Sequence, residues 1–427
     1  MRHEMRLGGF ALDAAAMAEA VESCVHCGFC LATCPTYQVL GQEMDSPRGR
    51  IVLMKGALEG SFPFSDVLPH LDLCLGCQAC VTACPSGVRY ERLLMPVRNR
   101  IRTSAARPFL RRVLRLALLQ VLPNPRRFAV AARMGIFARP LHSLVPRPMR
   151  PALDLLPSTI PPRRRLPATY PADGRRRARV ALLEGCIQQV LAPDVNWATI
   201  RVLARNGVEV VVPRGQGCCG ALALHLGEED AARKQAGRNL QVFPRDVDAV
   251  ISNAAGCGSA LREYGVLFAG RPQQSEATAF SDHARDVSQF LDELGIEAPP
   301  GLSVPTRVAY HDACHLAHAQ GVRAAPRRLL AQIDNLALVE IPDADICCGS
   351  AGVYNLEQPG IARELGVKKA TRVAGLEADA LALGNIGCMA QIRTHLSQLG
   401  SDIPVLHTVE VLDRAYRRLP LRATAAS

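Results

Sequence analysis

Aromatic residues are scarce: 4% of 427 residues, with a single tryptophan. The stacking platforms by which proteins hold single-stranded nucleic acid are therefore missing, and no nucleic-acid recognition motif takes their place, so nucleic acid is excluded as a partner. No run of about 20 uncharged apolar residues occurs, which excludes a membrane-spanning helix and leaves any membrane contact peripheral or through a partner. The opening stretch, MRHEMRLGGFALDAAAMAEA, has no apolar core of signal-peptide length and carries Glu4, Asp13 and Glu19. It reads as the start of a cytoplasmic protein, in a compartment where thiols stay reduced. Lysine is absent from residues 98–179, and so, nearly, are carboxylates: 20 arginines stand against Asp154 and Asp173 alone. That segment carries +18 while the whole chain carries +11, so the remainder is acidic at −7. Positive charge this concentrated calls for an acidic or anionic surface to meet.

What the sequence has in quantity is cysteine, 16 in all. Eight fall in two stretches, CVHCGFCLATCP at residues 24–35 and CLGCQACVTACP at residues 74–85, each C-x₂-C-x₂-C-x₃-C-P. Three soft thiolates on one tight loop can hold three corners of a 4Fe-4S cube, and in two-cluster ferredoxins the fourth cysteine ligates the other cluster. One cluster is accordingly expected on Cys24, Cys27, Cys30 and Cys84, and a second on Cys74, Cys77, Cys80 and Cys34. A zinc ribbon uses separated C-x-x-C pairs rather than this triple spacing with a trailing Cys-Pro. His26 lies inside the first loop, where an exposed bystander is expected ahead of a cluster-tuning role.

In chain order, Leu12, Ala15, Ala16, Ala20 and Val21 recur at near-helical spacing over residues 11–22. Between the cysteine runs, SPRGRIVLMKGALEG again suits a helix, through Ile51, Met54 and Leu58 flanked by Arg48 and Lys55. Residues 1–100 thus read as a helical ferredoxin-type domain. Residues 101–178 form an Arg/Pro-rich linker. Within it PFLRRVLRLALLQVL, residues 108–122, sets Leu110, Val113, Leu114, Ala117 and Leu118 against Arg111, Arg112 and Arg115. This is a basic amphipathic helix, suited to anionic lipid, to a partner, or to its own protein. Pro146 to Pro171 reads as an irregular extended stretch.

From Arg179 onward an α/β texture appears and repeats. RVALLEGC ends in Cys186 and TRVAYHDAC in Cys314; Cys218, Cys219 and Gly220 match Cys347, Cys348 and Gly349; Cys257 matches Cys388. The offsets are 128, 129, 129 and 131 residues, the mark of a duplication over residues 179–300 and 301–427. Alternating helix and strand patterns predict two α/β lobes with parallel sheets, their cysteines at the carboxyl ends of strands. The expected fold is therefore α+β and multidomain, a helical two-cluster ferredoxin domain followed by two duplicated cysteine-rich lobes. A sharp turn before each paired glycine is expected to aim adjacent cysteines at one centre. His311, His315 and His318 surround Cys314, and His407 precedes a helix; structural roles are expected for all four, with His315 the one placed to move a proton or supply a ligand.

Each lobe resembles the CCG cysteine-rich domain of heterodisulfide reductase and its relatives. The whole chain resembles the iron-sulfur subunit of glycolate oxidase (glycolate dehydrogenase), through VHCGFCLATCPTYQ, SPRGRI, CPSGVRYE, LEGCIQ, GCCGAL, CCGSAGVY and NIGCMAQ. The resemblance implies an electron-transfer subunit, not catalytic alone. Flavoprotein subunits would oxidise glycolate, or D-lactate, and a quinone-type acceptor would receive the electrons. No flavin signature is recognisable here, in keeping with that division of labour. One departure stands out: the family motif ends in C-x-x-C, whereas Cys257 precedes Gly258-Ser259-Ala260 and Cys388 precedes Met389-Ala390-Gln391. Four thiols per lobe, Cys186, Cys218, Cys219 and Cys257 or Cys314, Cys347, Cys348 and Cys388, suit a further iron-sulfur cluster, a zinc ion, or metal-free redox-active thiols. Two other readings stay open. One is the iron-sulfur subunit of an anaerobic glycerol-3-phosphate or lactate dehydrogenase or of a heterodisulfide reductase-like enzyme, and the other is a structural metal-binding adaptor.

Overall fold

The computed structural model describes residues 14–104, 107–146 and 150–422. The N-terminal unit is all helical. Ser46 caps Pro47–Leu58 by accepting a hydrogen bond from the Gly49 amide at 3.0 Å, and Pro47 occupies a first-turn position that needs no donor. That helix buries Ile51, Met54 and Ala57 in a core to which Ala14–Glu22 contributes Met17, Ala20 and Val21. Phe64–Asp72 and Tyr90–Ser104 complete the core with Val67, Leu71, Leu93, Leu94, Val97 and Ile101. The expected helix over residues 11–22 is present from Ala14; Leu12 lies outside the described residues.

The repeats form two sheets. The first runs through β1 (Thr169–Tyr170), β2 (Ala178–Leu182), β3 (Val208–Val211), β4 (Ala249–Ser252) and β5 (Ala284–Asp286), in spatial order β1-β3-β2-β4-β5. The second holds β6 (Thr306–His311), β7 (Leu336–Glu340), β8 (Ala380–Leu383) and β9 (Val405–His407), in order β7-β6-β8-β9. All pairings are parallel except β1 with β3. Setting β1 aside, the two orders are the same, as a duplication requires. In each, the order reverses beside the first strand of the repeat, the point at which open α/β sheets gather ligands.

The lobes share a core rather than standing apart. Helices Pro193–Arg205 and Val287–Leu294 of the first pack on Thr408–Tyr416 and Ala324–Leu330 of the second, each repeat offering the same two helices. Val180, Ile251, Tyr310 and Leu381 from both sheets belong to this one apolar cluster. Arg201 clamps Asp413 across it with bonds of 2.7 and 2.6 Å.

The connector is more ordered than an extended linker. It contains helices Phe109–Val121, Pro125–Phe137 and Arg150–Asp154, and β1 pairs antiparallel with the edge strand β3. The basic helix also departs from expectation. Arg115 turns inward to pair with Asp72 and Glu357, while Val113, Leu116 and Ala117 face solvent; the Leu110 side chain lies outside the described residues. Two carboxylates from different units drew the arginine in, which periodicity within one helix does not reveal.

Candidate metal centres

The two ferredoxin loops use one backbone shape with different residues. In the first, His26 (φ 55°) and Gly28 (φ 87°) flank Cys27 in the left-handed region; in the second, Gly76 (φ 65°) and Gln78 (φ 61°) flank Cys77. A left-handed residue on each side of the central cysteine curls the loop so that its thiols face inward, a conformation that costs a non-glycine residue about 1–2 kcal/mol. The Gly76 amide donates to the Cys74 sulfur at 3.4 Å and the Val88 amide to the Cys84 sulfur at 3.5 Å.

The fourth cysteine of each loop lies close to the other loop. Burial raises the Cys24 thiol, and Cys84 and Cys27 lie close enough to raise it further. A small cleft is lined by Cys24, Cys27, Cys30, Cys80 and Cys84 with no carboxylate among its walls. Burial pushes Cys80 well up, reinforced by Cys77, Cys74 and Cys34. Cys84 thus lies near Cys24 of the first loop, and Cys34 lies near Cys80 of the second as well as Cys30 of its own. Thiols gathered this closely, in a cleft with no carboxylate among its walls, suit iron-sulfur clusters.

Side chains that spacing does not single out complete this unit. Arg50 is 1% exposed, with its guanidinium 3.0 Å from the Thr36 hydroxyl, 2.8 Å from the His70 carbonyl and 3.9 Å from the Cys34 sulfur. Burial alone would raise Cys74, but Arg50 and Arg98 hold it below its usual value. The Tyr90 hydroxyl donates to Cys74 at 3.8 Å. The one legible signal for Arg50 is its place on the same helical face as Ile51 and Met54, where a cation is out of place.

The ferredoxin unit docks on both lobes. Leu75, Cys77 and Ala79 share an apolar cluster with Cys347, Tyr354 and Leu365 of the second lobe. Cys314 is near enough to Cys77 to raise its thiol, after burial itself. His315 reaches the Gly76 carbonyl at 3.1 Å and stacks on His225 of the first lobe at 5.1 Å, and His318 meets the Thr82 hydroxyl. His315 and His318 are therefore joints between units. His407 caps Thr408–Tyr416 by accepting from the Val409 amide at 3.2 Å.

In the first lobe, Gly220 takes φ 92° after Cys218-Cys219, and in the second, Gly349 takes φ 88° after Cys347-Cys348. A Cβ on Gly349 would stand 2.6 Å from the Ala362 carbonyl oxygen, so the turn demands glycine. Cys186 and Cys218 approach to 3.5 Å, and Cys219 touches both Cys218 and Cys257. Cys186 and Cys218 of this set line a cleft of about 630 Å³ walled by Arg126, Arg163, Arg165, Arg214 and Arg238. Gly215, Gly217 and Gly220 also stand at G-x-G-x-x-G spacing after β3. The helix they open, Ala221–His225, spans only 5 residues and the turn carries the two cysteines, so the glycines place thiols rather than a pyrophosphate.

In the second lobe, Cys314 and Cys347 stand 3.9 Å apart, and Cys347 touches Cys348. Asn385 joins the lobes, donating to the Cys388 sulfur at 3.3 Å and accepting from the Gly256 amide, beside Cys257, at 3.4 Å. His311 is a correction. A satisfied structural histidine is expected, yet neither ring nitrogen has a hydrogen-bond partner. Burial holds the ring well below its usual pKa, helped by Lys369, and the Ala344 backbone opposes this without reaching hydrogen-bond geometry.

A 4Fe-4S dicluster domain matches residues 20–88, and a family described as a cysteine-rich domain matches twice, at residues 180–262 and 308–393. The chain is 36% identical to the glycolate oxidase iron-sulfur subunit of Escherichia coli (strain K12) over 428 residues, 98% of this chain and 99% of that one. The chain belongs to the glycolate oxidase iron-sulfur subunit family. A probable glycolate oxidase iron-sulfur subunit of Bacillus subtilis (strain 168) is 35% identical, over 91% of this chain and 93% of that one. Lactate utilization protein A of Oceanobacillus iheyensis matches at 31% over 55% of this chain and 96% of its own length. The chain pairs a dicluster domain with two cysteine-rich repeats, and it is an iron-sulfur protein of an oxidoreductase complex. Among its described residues, no helix is long and apolar enough to cross a membrane.

Proposed function

We propose that this chain carries electrons within a complex whose flavoprotein subunits oxidise glycolate, or D-lactate, to the oxoacid, and delivers them to a quinone-type acceptor from the cytoplasmic side of the membrane. The observation that carries this reading is the unbroken succession of thiol sets. The first ferredoxin set meets the second through Cys30, Cys34 and Cys80, and the second meets the second lobe through Cys77 and Cys314. Cys24, Cys27, Cys30 and Cys84 are assigned to one 4Fe-4S cluster and Cys74, Cys77, Cys80 and Cys34 to the other; bound there, these groups supply one-electron redox centres. The protein's own part is to hold them close together, exclude water and balance charge. Arg50 and Arg98 offset the negative charge that thiolates bring into a buried site.

Peripheral attachment is assigned to Phe109–Val121 and Pro125–Phe137. Phe109 is 77% exposed, Met134 67% and Phe137 88%, among the exposed arginines Arg111, Arg112 and Arg133. Apolar side chains beside cations suit an anionic lipid surface.

The test combines reconstitution with spectroscopy. The purified, flavin-free chain should fail to reduce a dye with either glycolate or D-lactate, and adding the flavoprotein subunits should restore turnover with the true substrate. Dye reduction by the chain alone overturns the reading, and a chain rich in zinc with no dithionite-reducible EPR signal would favour a structural adaptor. Cys84→Ser should damage the cluster whose other ligands lie near residue 27. Loss confined to the Cys74, Cys77 and Cys80 signal would reject the exchanged ligation.

A further inference from the structure

His311 closes β6 three residues before Cys314 and is 1% exposed. Neither ring nitrogen reaches hydrogen-bond geometry with a described residue, the Ala344 backbone included. Buried polar groups in folded proteins are almost always paired, so a ring kept in this position points to a partner that is not polypeptide. The ring faces thiols: one donor atom each from His311, Cys348 and Cys388 lies within 4.8 Å of the other two, and all three residues are buried. Metal bonds of about 2.0–2.1 Å to nitrogen and about 2.3 Å to sulfur bring all three within reach of a single ion after small side-chain rotations. Cys347, in contact with Cys348, stands ready as a further thiol. The Asn385 amide already donates to Cys388, the kind of outer contact that orients a metal ligand.

The first lobe lacks this arrangement. The residue three places before its Cys186 is Leu183, also 1% exposed, and it packs in the apolar cluster under Cys218 and Cys219. The duplication therefore preserved four cysteines in each lobe but placed imidazole in one and an aliphatic chain in the other.

We propose that His311 is a nitrogen ligand to a metal held by Cys348 and Cys388, which makes the second lobe's centre a mixed imidazole–thiolate site with no counterpart in the first. Two thiols and a neutral imidazole, with no carboxylate in the group, select a borderline metal, zinc or the iron of a cluster, over magnesium or calcium. His311 also supplies the fifth donor that the missing cysteine after Cys388 leaves wanting. The inference rests on the reading that this lobe binds metal at all, and the measurements separate the two.

The experiment uses full-length protein purified anaerobically, with iron and zinc counted per chain. X-ray absorption at the zinc or iron edge and, for a paramagnetic centre, the ¹⁴N coupling compared between natural-abundance and ¹⁵N-histidine protein report the ligands. The wild type should hold metal beyond that of the ferredoxin clusters, with one nitrogen scatterer. His311→Leu, which installs the first lobe's residue, should lose that nitrogen signal and bind the extra metal about tenfold more weakly or worse. His311→Cys should keep the metal in an all-sulfur shell, and carries the test if the leucine variant does not fold. Ferredoxin EPR signals should be unchanged in both. Absence of extra metal from the wild type overturns both readings. Extra metal with an all-sulfur shell in the wild type, or with a nitrogen signal that survives in His311→Leu, overturns only the role of His311.

Discussion

Arg50 carries a full charge into a space with almost no solvent, beside Asp45, Cys34 and Cys74. Such a cation stabilises whichever state of its neighbours is more negative, so removing it should disfavour reduction of the adjacent centre. In Arg50→Leu, the potential assigned to the Cys74, Cys77, Cys80 and Cys34 set should move negative in an EPR-monitored titration. An unmoved potential would make Arg50 a purely structural residue. His407 offers a test with a pH signature. Burial lowers its pKa from 6.5 to about 4, so the native state prefers the neutral ring. Its stability contribution is complete above pH 6.5 and is lost as pH falls from there toward 4, by about 3 kcal/mol in total. His407→Asn caps the same helix without titrating. Denaturant midpoints compared at pH 5 and pH 7.5 should show a smaller drop for the variant than for the wild type; equal drops would exclude His407 as the source.

The basic helix Phe109–Val121 has two faces with different work. Arg115 is 12% exposed and holds Asp72 of the ferredoxin unit together with Glu357 of the second lobe. Arg115→Ala leaves Glu357 without its cation in a half-dry joint, while Asp72 keeps Arg107 at 2.6 Å, and should cost roughly 1–2 kcal/mol, below the range of a fully buried pair. Thermal unfolding is the measurement, and loss of less than about 0.5 kcal/mol would mean solvent already screens the pair. Arg111 and Arg112 face outward, so reversing both to Glu should leave stability nearly unchanged while weakening binding to anionic vesicles in a salt-sensitive way. Vesicle binding that survives the reversal would return this face to ordinary solvated surface. Three arginines that look alike on a helical wheel are thus expected to separate into one joint residue and two surface residues.

Across the whole molecule, the ferredoxin unit presses its second loop onto the second lobe, through Cys77 against Cys314 and Cys347, and contacts the first lobe through Arg98 and His225. On the proposed route, an electron leaving the second loop would meet the second lobe's thiols first. Cys348→Ser should slow quinone reduction in the reconstituted complex while leaving both ferredoxin EPR signals intact. Undiminished quinone reduction would place the exit elsewhere, with the arginine-walled cleft over Cys186 and Cys218 the next surface to probe.

The sequence by itself determined the parts. Four-cysteine spacing, the 129-residue offset between paired cysteines and the strand-then-cysteine pattern are local or periodic features, and the ferredoxin loops, the duplicated parallel sheets and the glycine turns after each cysteine pair followed from them. The tertiary structure decided which parts touch. That Arg115 points inward, that Arg50 neighbours Cys34 and Cys74, that the two lobes share one core, and that His311 meets Cys348 and Cys388 all depend on residues tens to hundreds of positions apart. No helical or strand period encodes such pairs, because a period reports only which face of one element is buried and not what another element brings to it. The same rule explains His311 and Leu183: both are buried positions at the carboxyl ends of equivalent strands, and only the packed thiols around the histidine distinguish a ligand from a core residue.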